Sequence, residues 1–215
     1  MTPDSRKIRL ILDLRAGGVT DRLVLGAMER VPRELFVPKL FRDKAYDNVA
    51  LPIGHHQTLS QPLVVGLMTQ ALEVGPRMKV LEIGTGSGYH AAVAARLCRR
   101  LYTIERHPDL LGEAEARFAE LGISNITTRA GDGTLGWPEQ VPFERILVTA
   151  AAADVPAPLV DQLAEGGVMV VPVDDGSDDG RRLIRVRRSS DGVETEDLGP
   201  VKFVPLVPER ERGTG

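Results

Sequence analysis

Apolar positions in the first third of the chain recur three and four residues apart. Ile8, Leu10, Ile11, Leu12 and Leu14 predict an amphipathic helix that Gly17-Gly18 closes. Thr20 or Asp21 can cap a second helix, running through Leu23, Val24 and Met28 to Arg30. Pro32 and Pro38 then interrupt regular structure, and between Tyr46 and Gln61 neither helical nor strand periodicity stands out. Pro62, followed by Leu63, Val64, Leu67, Met68, Ala71 and Leu72, predicts a third helix with proline in its first turn.

From Met78 the pattern changes to short apolar runs alternating with helical stretches. Strands are predicted over 79–83, 101–104, 126–129, 145–149 and 167–173, and helices over 89–100, 108–121 and 158–163. Alternation of this kind implies a parallel sheet covered by helices on both faces. Segments 182–188 and 201–206, around a turn at Ser189-Ser190-Asp191-Gly192, read as strands with no helix between them. The expectation is an α/β fold: a doubly wound, mostly parallel sheet with N-terminal helices and a C-terminal antiparallel strand pair. With no internal repeat or long linker, it forms one domain over 1–215. Its parts are a helical region 1–75, a βα core 76–173, C-terminal strands 174–207 and a frayed polar tail 208–215.

Composition narrows the function. The chain has 215 residues, 42% of them apolar and 27% charged, the balance of a globular protein with a full core. A net charge of −3 and only 4% aromatic residues argue against a nucleic-acid partner. The single cysteine, Cys98, rules out an internal disulfide. No apolar run approaches the roughly 18 to 20 residues of a membrane span, and Asp13 and Arg15 break the only stretch near the N-terminus. A cytoplasmic monomer without membrane or metal is expected.

The sharpest local signal is Val80-Leu81-Glu82-Ile83-Gly84-Thr85-Gly86-Ser87-Gly88-Tyr89, a strand, a glycine turn and a helix. Glycines allow the tight turn and let a ligand approach main-chain atoms. No lysine follows, so a P-loop is excluded, and the spacing differs from the dinucleotide fingerprint. Glu105 ends the second strand, 21 residues beyond Gly84, where a carboxylate suits the two hydroxyls of a ribose. Asp132, within Gly131-Asp132-Gly133 after the third strand, can accept from an adenine amino group. Each acid alone reads as a solvated loop residue. The three features in register, at the carboxyl ends of neighbouring strands, favour a nucleoside-containing cofactor.

Glu82 with the G-x-G-x-G loop resembles the S-adenosylmethionine-dependent methyltransferases. A more specific likeness lies outside that loop. Arg30-Val31-Pro32-Arg33-Glu34-Leu35-Phe36-Val37-Pro38, Leu51-Pro52-Ile53-Gly54-His55-His56-Gln57-Thr58-Leu59-Ser60-Gln61-Pro62, and Lys202-Phe203-Val204-Pro205-Leu206-Val207 resemble signatures of protein-L-isoaspartate O-methyltransferases. So do Thr127 to Gly133 and Arg145 to Ala151, and the likeness covers about 8–207. The family pattern is P-I-G-x-G-Q-T-[IL]-S-x-P; His56 stands where many members have Gly.

The resemblance implies a Rossmann-like methyltransferase fold and S-adenosyl-L-methionine as cofactor, with S-adenosyl-L-homocysteine as product. It implies methylation of the free α-carboxylate of L-isoaspartyl residues in damaged proteins and peptides, the ester then proceeding to a succinimide. Cofactor contacts are implied at Gln57, Thr58, Leu59, Ser60, Glu82, Gly84, Thr85, Gly86, Ser87, Gly88, Glu105, Arg106, Gly131, Asp132 and Gly133. Ser60 is implied as the active-site residue, with Thr58, Ser60, Val204, Pro205 and Leu206 on the substrate. Read alone, Ser60 favours a helix N-cap, and 204–206 an ordinary core or edge strand. The chemistry needs no base, triad or metal, because a carboxylate is ionised near neutral pH and the methyl donor is already activated.

Other signals carry less. His55-His56 lacks partners at metal-ligand spacing and reads as a solvated or peptide-contacting loop. His90 and Cys98 fall on the glycine-loop helix, the first partly exposed and the second buried. The arginines at 181, 182, 185, 187 and 188 read as charges guarding an edge strand, and Asp174, Asp175, Asp178 and Asp179 as a solvated loop. Two competing functions remain in view. One is an O-methyltransferase acting on Asp in a dedicated precursor peptide, which would be expected to carry an added recognition segment. The other is a cofactor-binding protein without transfer, against which Ser60, Glu105 and Asp132 argue.

Overall fold

The structure, a computed structural model, describes residues 3–174, 176 and 180–207. Asp175, Asp178, Asp179 and the tail 208–215 therefore lie outside the described residues. Helices α1 (Pro3–Ala16), α2 (Arg22–Arg30) and α3 (Pro62–Leu72) share a core with one face of the sheet. Asp21 caps α2, its carboxylate accepting from the Leu23 and Val24 amides. Between α2 and α3 the chain makes two 3₁₀ turns and a small hairpin, β1 (Leu51–Gly54) and β2 (Gln57–Leu59). The hairpin lies in the stretch where no periodicity was legible. Its strands are too short to alternate visibly, and a bulge at Ile53 shifts the register.

The main sheet contains β3 (Lys79–Ile83), β4 (Arg100–Glu105), β5 (Ile126–Ala130), β6 (Phe143–Val148), β7 (Leu163–Asp174), β8 (Arg181–Ser189) and β9 (Gly192–Pro200). Their order is β5-β4-β3-β6-β7-β8-β9, parallel from β5 to β7 and antiparallel from β7 to β9. Helices α4 (Tyr89–Ala95), α5 (Pro108–Glu120) and α6 (Ala157–Val160) connect the parallel strands. Alternate strand residues feed two cores. Val80, Leu101, Leu147 and Val170 face the one that holds residues of α1 to α5. Leu81, Ile83, Ile104, Ile146, Val148 and Met169 face the other, with Trp137 and Phe143.

Chain order reverses at β3: β4 and β5 extend to one side, β6 and β7 to the other. Such a switch point leaves a crevice beyond the carboxyl ends of the central strands. Gly84 and Thr149 directly follow β3 and β6 there, and the Thr149 hydroxyl donates to the Ile83 and Gly84 carbonyls at 2.9 and 2.6 Å.

Several expectations are corrected. The last strand is β9, at 192–200, and 201–206 is an extended segment tied to the sheet by a bridge between Ala151 and Pro205. Almost all of β9 is exposed, so it carries no apolar alternation to read. It is held by charge pairs with β8 instead: Arg182 with Asp197 at 2.7 Å, and Arg185 with Glu196. The arginines of β8 thus sit one strand in from the edge. The helix after the glycine loop stops at Ala95, which leaves Cys98 buried in the following turn rather than on the helix. The helix expected at 158–163 is α6, and Leu163 already belongs to β7.

Candidate active site

The crevice holds a cavity of about 260 Å³. Its floor is Ile83, Gly84, Thr85, Gly86 and Ser87; Glu105 and Arg106 stand on one side, and Gln57, Thr58, Leu59 and Ser60 on the other. Gly133, Val204, Pro205 and Leu206 complete the predicted residues that meet there. Gly84 and Gly86 have φ of 95° and 53°, and a Cβ on Gly84 would strike the Thr149 hydroxyl. Glu105 is buried at 5% exposure. Its Oε2 accepts from Gly86 N at 2.8 Å and its Oε1 from His107 N at 3.0 Å. Both oxygens keep a free lone pair, enough for two further donors.

Ser60 enters the cavity from the link between β2 and α3. It is not the helix cap: Gln61 holds that position, and the Asn48 side chain accepts from Leu63 N at 3.0 Å. The Ser60 carbonyl accepts from Arg33 Nη2 at 2.8 Å. Arg33 Nε donates to the Ala45 carbonyl at 2.9 Å, and the guanidinium carbon lies 4.7 Å from the centroid of the Tyr89 ring. Arg33 is only 1% exposed. A second opening, of about 650 Å³, shares Thr58, Ser60, Thr149 and Val204 with the cavity.

Four predicted cofactor residues lie outside the cavity wall: Glu82, Gly88, Gly131 and Asp132. Strand alternation turns Glu82 inward, where the Thr103 hydroxyl donates to its Oε2 at 2.6 Å. Gly88 serves packing, since a Cβ there would lie 2.8 Å from the Phe118 ring. Gly131 donates its amide to the Glu105 carbonyl at 2.9 Å. Asp132 bends its carboxylate back onto Thr134 N at 2.8 Å, capping the next turn.

Sequence reasoning missed other wall residues, among them Thr149, His56, His90 and His107. His90 is buried rather than partly exposed. Its Nε2 lies 2.9 Å from Thr69 Oγ1, whose own proton goes to the Val65 carbonyl at 2.7 Å. Nε2 is therefore the donor, and burial lowers the pKa to about 3, leaving the ring neutral. His55 and His56 form the hairpin turn with φ of 49° and 56°. Two-residue turns of this kind demand left-handed residues, which explains the glycine in the family pattern at His56. The His55 ring stacks on His107 at 4.7 Å, joining the turn to the loop after β4. Among the described residues, no group of three or more His, Cys, Asp or Glu is placed to hold a metal ion.

Residues 5–211 match the family model for Protein-L-isoaspartate(D-aspartate) O-methyltransferase. The chain belongs to this family. It is 64% identical over 210 residues to the Protein-L-isoaspartate O-methyltransferase of Rhodospirillum rubrum, covering 96% of this chain and 95% of that one. It is 61% identical over 204 residues to the protein of that name from Paramagnetospirillum magneticum, covering 95% of both. A solved protein-L-isoaspartate O-methyltransferase superposes with a TM-score of 0.83 at 26% identity, over 94% of this chain and 66% of that longer one. A Plasmodium falciparum structure in complex with S-adenosyl-L-homocysteine shares the fold, with a TM-score of 0.79 at 24% identity over 93% of this chain and 97% of that one. The cofactor of the family is S-adenosylmethionine. The cavity of this O-methyltransferase fits it: bare glycine backbone forms the floor, and Glu105 offers acceptors for a pair of hydroxyls. Among the described residues, no helix is long and apolar enough to cross a membrane.

Glu82 provides a test of the buried network behind the cavity. Burial, reinforced by the Glu105 charge and opposed by the Thr103 hydroxyl, raises its pKa to about 8 from 4.5. The folded state therefore retains a proton that the unfolded state gives up. The stabilisation is complete below the unfolded pKa and is lost as pH rises through the folded one. Glu82→Gln keeps the shape without the ionisation. Urea unfolding at pH 5 and pH 8 is expected to show a gain for the variant, on the order of a few kcal/mol, that is larger at pH 8. An equal difference at both pH values would mean that Glu82 ionises normally.

Proposed function

We propose that this enzyme repairs proteins, transferring a methyl group to the free α-carboxylate of L-isoaspartyl residues to give an ester that collapses to a succinimide. The observation that carries this reading is the junction at Thr58, Ser60, Thr149 and Val204, where the cavity and the outer groove share walls. A peptide in the groove can bring a carboxylate to the inner end of the cavity without entering it. S-adenosylmethionine, when bound, supplies a methyl group already activated by its sulfonium. The remaining work is alignment and exclusion of water, which carry much of the barrier in reactions between held partners.

In this reading Glu105 holds the ribose hydroxyls, and the backbone from Gly84 to Ser87, with Gln57, Thr58, Leu59, Arg106 and Gly133, encloses the rest of the cofactor. Ser60 directs its hydroxyl to the substrate carboxylate, and Arg33 fixes the Ser60 backbone. Val204, Pro205 and Leu206 hold the peptide main chain. Two backbone bonds support that assignment, Ala151 N to the Val204 carbonyl at 2.8 Å and Leu206 N to the Ala151 carbonyl at 2.7 Å, which set the segment against β6's end. The substrate carboxylate needs no base, since its pKa is about 3.5.

Glu105→Ala removes up to two charge-assisted hydrogen bonds, each worth about 1.5 to 3 kcal/mol. Calorimetry with S-adenosyl-L-homocysteine is expected to show affinity reduced at least tenfold; unchanged affinity removes Glu105 from the cofactor. Ser60→Ala is expected to slow methyl transfer at least tenfold while leaving the melting temperature nearly unchanged, because Asn48 and not Ser60 caps α3. Full turnover in that variant would exclude Ser60 from the chemistry. The assignment as a whole is tested with paired peptides that differ only in isoaspartyl or aspartyl linkage. A carboxylate displaced by about 1 Å can cost on the order of a hundredfold in rate. Strong preference for the isoaspartyl member is expected. Comparable methylation of both, or activity confined to one partner peptide, would replace repair with precursor modification.

A further inference from the structure

The outer groove has a charge character of its own. Its walls combine β1-side residues such as Asn48 and Val49 with Val64 of α3 and the extended segment from Pro200 to Val204. Among the described residues, two that line it carry charge, Arg181 and Lys202, and both are cationic. This contrasts with a chain whose net charge is −3.

The two cations differ in role. Arg181 opens β8, its Nη1 donates to the Phe203 carbonyl, and its own carbonyl accepts from Val201 N at 2.9 Å. It thereby pins the segment that forms the groove's outer wall. Lys202, the next residue along that wall, is exposed. Among the described residues neither is in an ion pair with a carboxylate. The acid in register with Arg181 across the sheet, Asp174, turns its Oδ1 to Gly176 N at 3.0 Å. By contrast, Arg182, Arg185 and Arg187 of β8 each pair with an acid, while Arg188 donates to the Val160, Asp161 and Leu163 carbonyls.

We propose that the groove is a subsite for an acidic side chain flanking the isoaspartyl residue, with Lys202 as its specificity determinant. The inference rests on the reading of the enzyme as an isoaspartyl methyltransferase and names the substrates it favours. The groove meets the cavity at Ser60, so a peptide whose carboxylate sits there leads its neighbouring residues past Lys202. Cations with no carboxylate partner among the described residues, inside a partly enclosed groove, attract anionic groups and raise their local concentration. An Asp or Glu beside the damaged site gains an ion pair there, and a Lys or Arg meets repulsion. The effect is a bias laid over main-chain recognition. Exposed ion pairs are weak, so several-fold discrimination is its scale.

The experiment uses the full chain and three isoaspartyl peptides that differ only in Glu, Gln or Lys at the flanking positions. kcat/KM is measured for the wild type and for Lys202→Glu at low and high salt, with S-adenosyl-L-homocysteine affinity as a control. The wild type is expected to favour the Glu peptide over the Lys peptide roughly threefold to tenfold, with the ratio shrinking as salt rises. Lys202→Glu is expected to reverse the order while cofactor affinity stays within twofold. Equal rates on all three peptides, or the same preference in both proteins, would overturn the subsite and leave the repair reading standing. Failure of the wild type to methylate any of the three would instead overturn the repair reading.

Discussion

The buried guanidinium of Arg33 is the constraint on which the site depends. It is 1% exposed, and the two hydrogen bonds described for it end on carbonyls, those of Ala45 and Ser60. Its plane rests on the Tyr89 ring, which packs edge-on against Phe36 at 5.5 Å. Burial lowers the pKa of the guanidinium, while Tyr89 and Tyr46 act in the opposite sense. A buried cation of this kind is costly unless its donors are satisfied. Here two donors, Nε and Nη2, meet backbone carbonyls that the fold must place correctly, while Nη1 has no hydrogen-bond partner among the described residues. Any shift of the Ser60 carbonyl therefore carries a penalty, and the substrate-side strand is held to the first residue of the glycine-loop helix.

This explains why the stretch from Arg30 to Pro38 is so recognisable although none of it lines the cavity. Arg33 spans from the 3₁₀ turn at Arg33–Phe36 to the far side of the site, and Phe36 fills the space behind Tyr89. A lysine could not replace it, because one ammonium cannot reach two carbonyls in a planar fork and lie flat on a ring. A second tie runs along the other edge, where His55 stacks on His107. The hairpin accepts two left-handed histidines to make that contact, at a cost of about 1 to 2 kcal/mol for each non-glycine residue so strained. Two joints, one a cation and one a ring stack, thus tie the hairpin and the link that follows it to Tyr89 and His107.

The parallel core was legible in the sequence because burial on both faces leaves continuous apolar runs such as Val80-Leu81 and Ile146-Leu147-Val148. The glycine loop and Glu105 were legible because each residue type has a physical requirement at its position. Elements without an apolar pattern were not. β9 is held by acids opposite arginines, and its sequence reads as a loop. The hairpin is three to four residues a side and bulged. Thr149 gave no signal because its role, donating to two carbonyls beneath Gly84, exists only once β3 and β6 are neighbours. Glu82 and Asp132 lie outside the cavity wall for a related reason. An acid near a glycine loop has the right chemistry for a cofactor, but strand alternation sends Glu82 inward, and its own turn captures Asp132.

The same geometry accounts for the absence of a catalytic base from the reading of the site. A base is needed where a nucleophile must lose a proton, and a carboxylate has already lost it. What such a reaction requires is a fixed angle between two bound partners, and an error in that angle is expensive. The elements that set it are drawn from three separate parts of the chain: the hairpin with Ser60, the β3 to α4 turn, and the extended segment at Val204. The hairpin lies outside the main sheet, and the Val204 segment meets it through one bridge, between Ala151 and Pro205. Arg33 joins the first two, the histidine stack ties the hairpin to the loop after β4, and the Ala151 bonds tie the Val204 segment to the end of β6. Precision here is a property of those joints, which is why buried and backbone-directed contacts, rather than reactive side chains, distinguish this site.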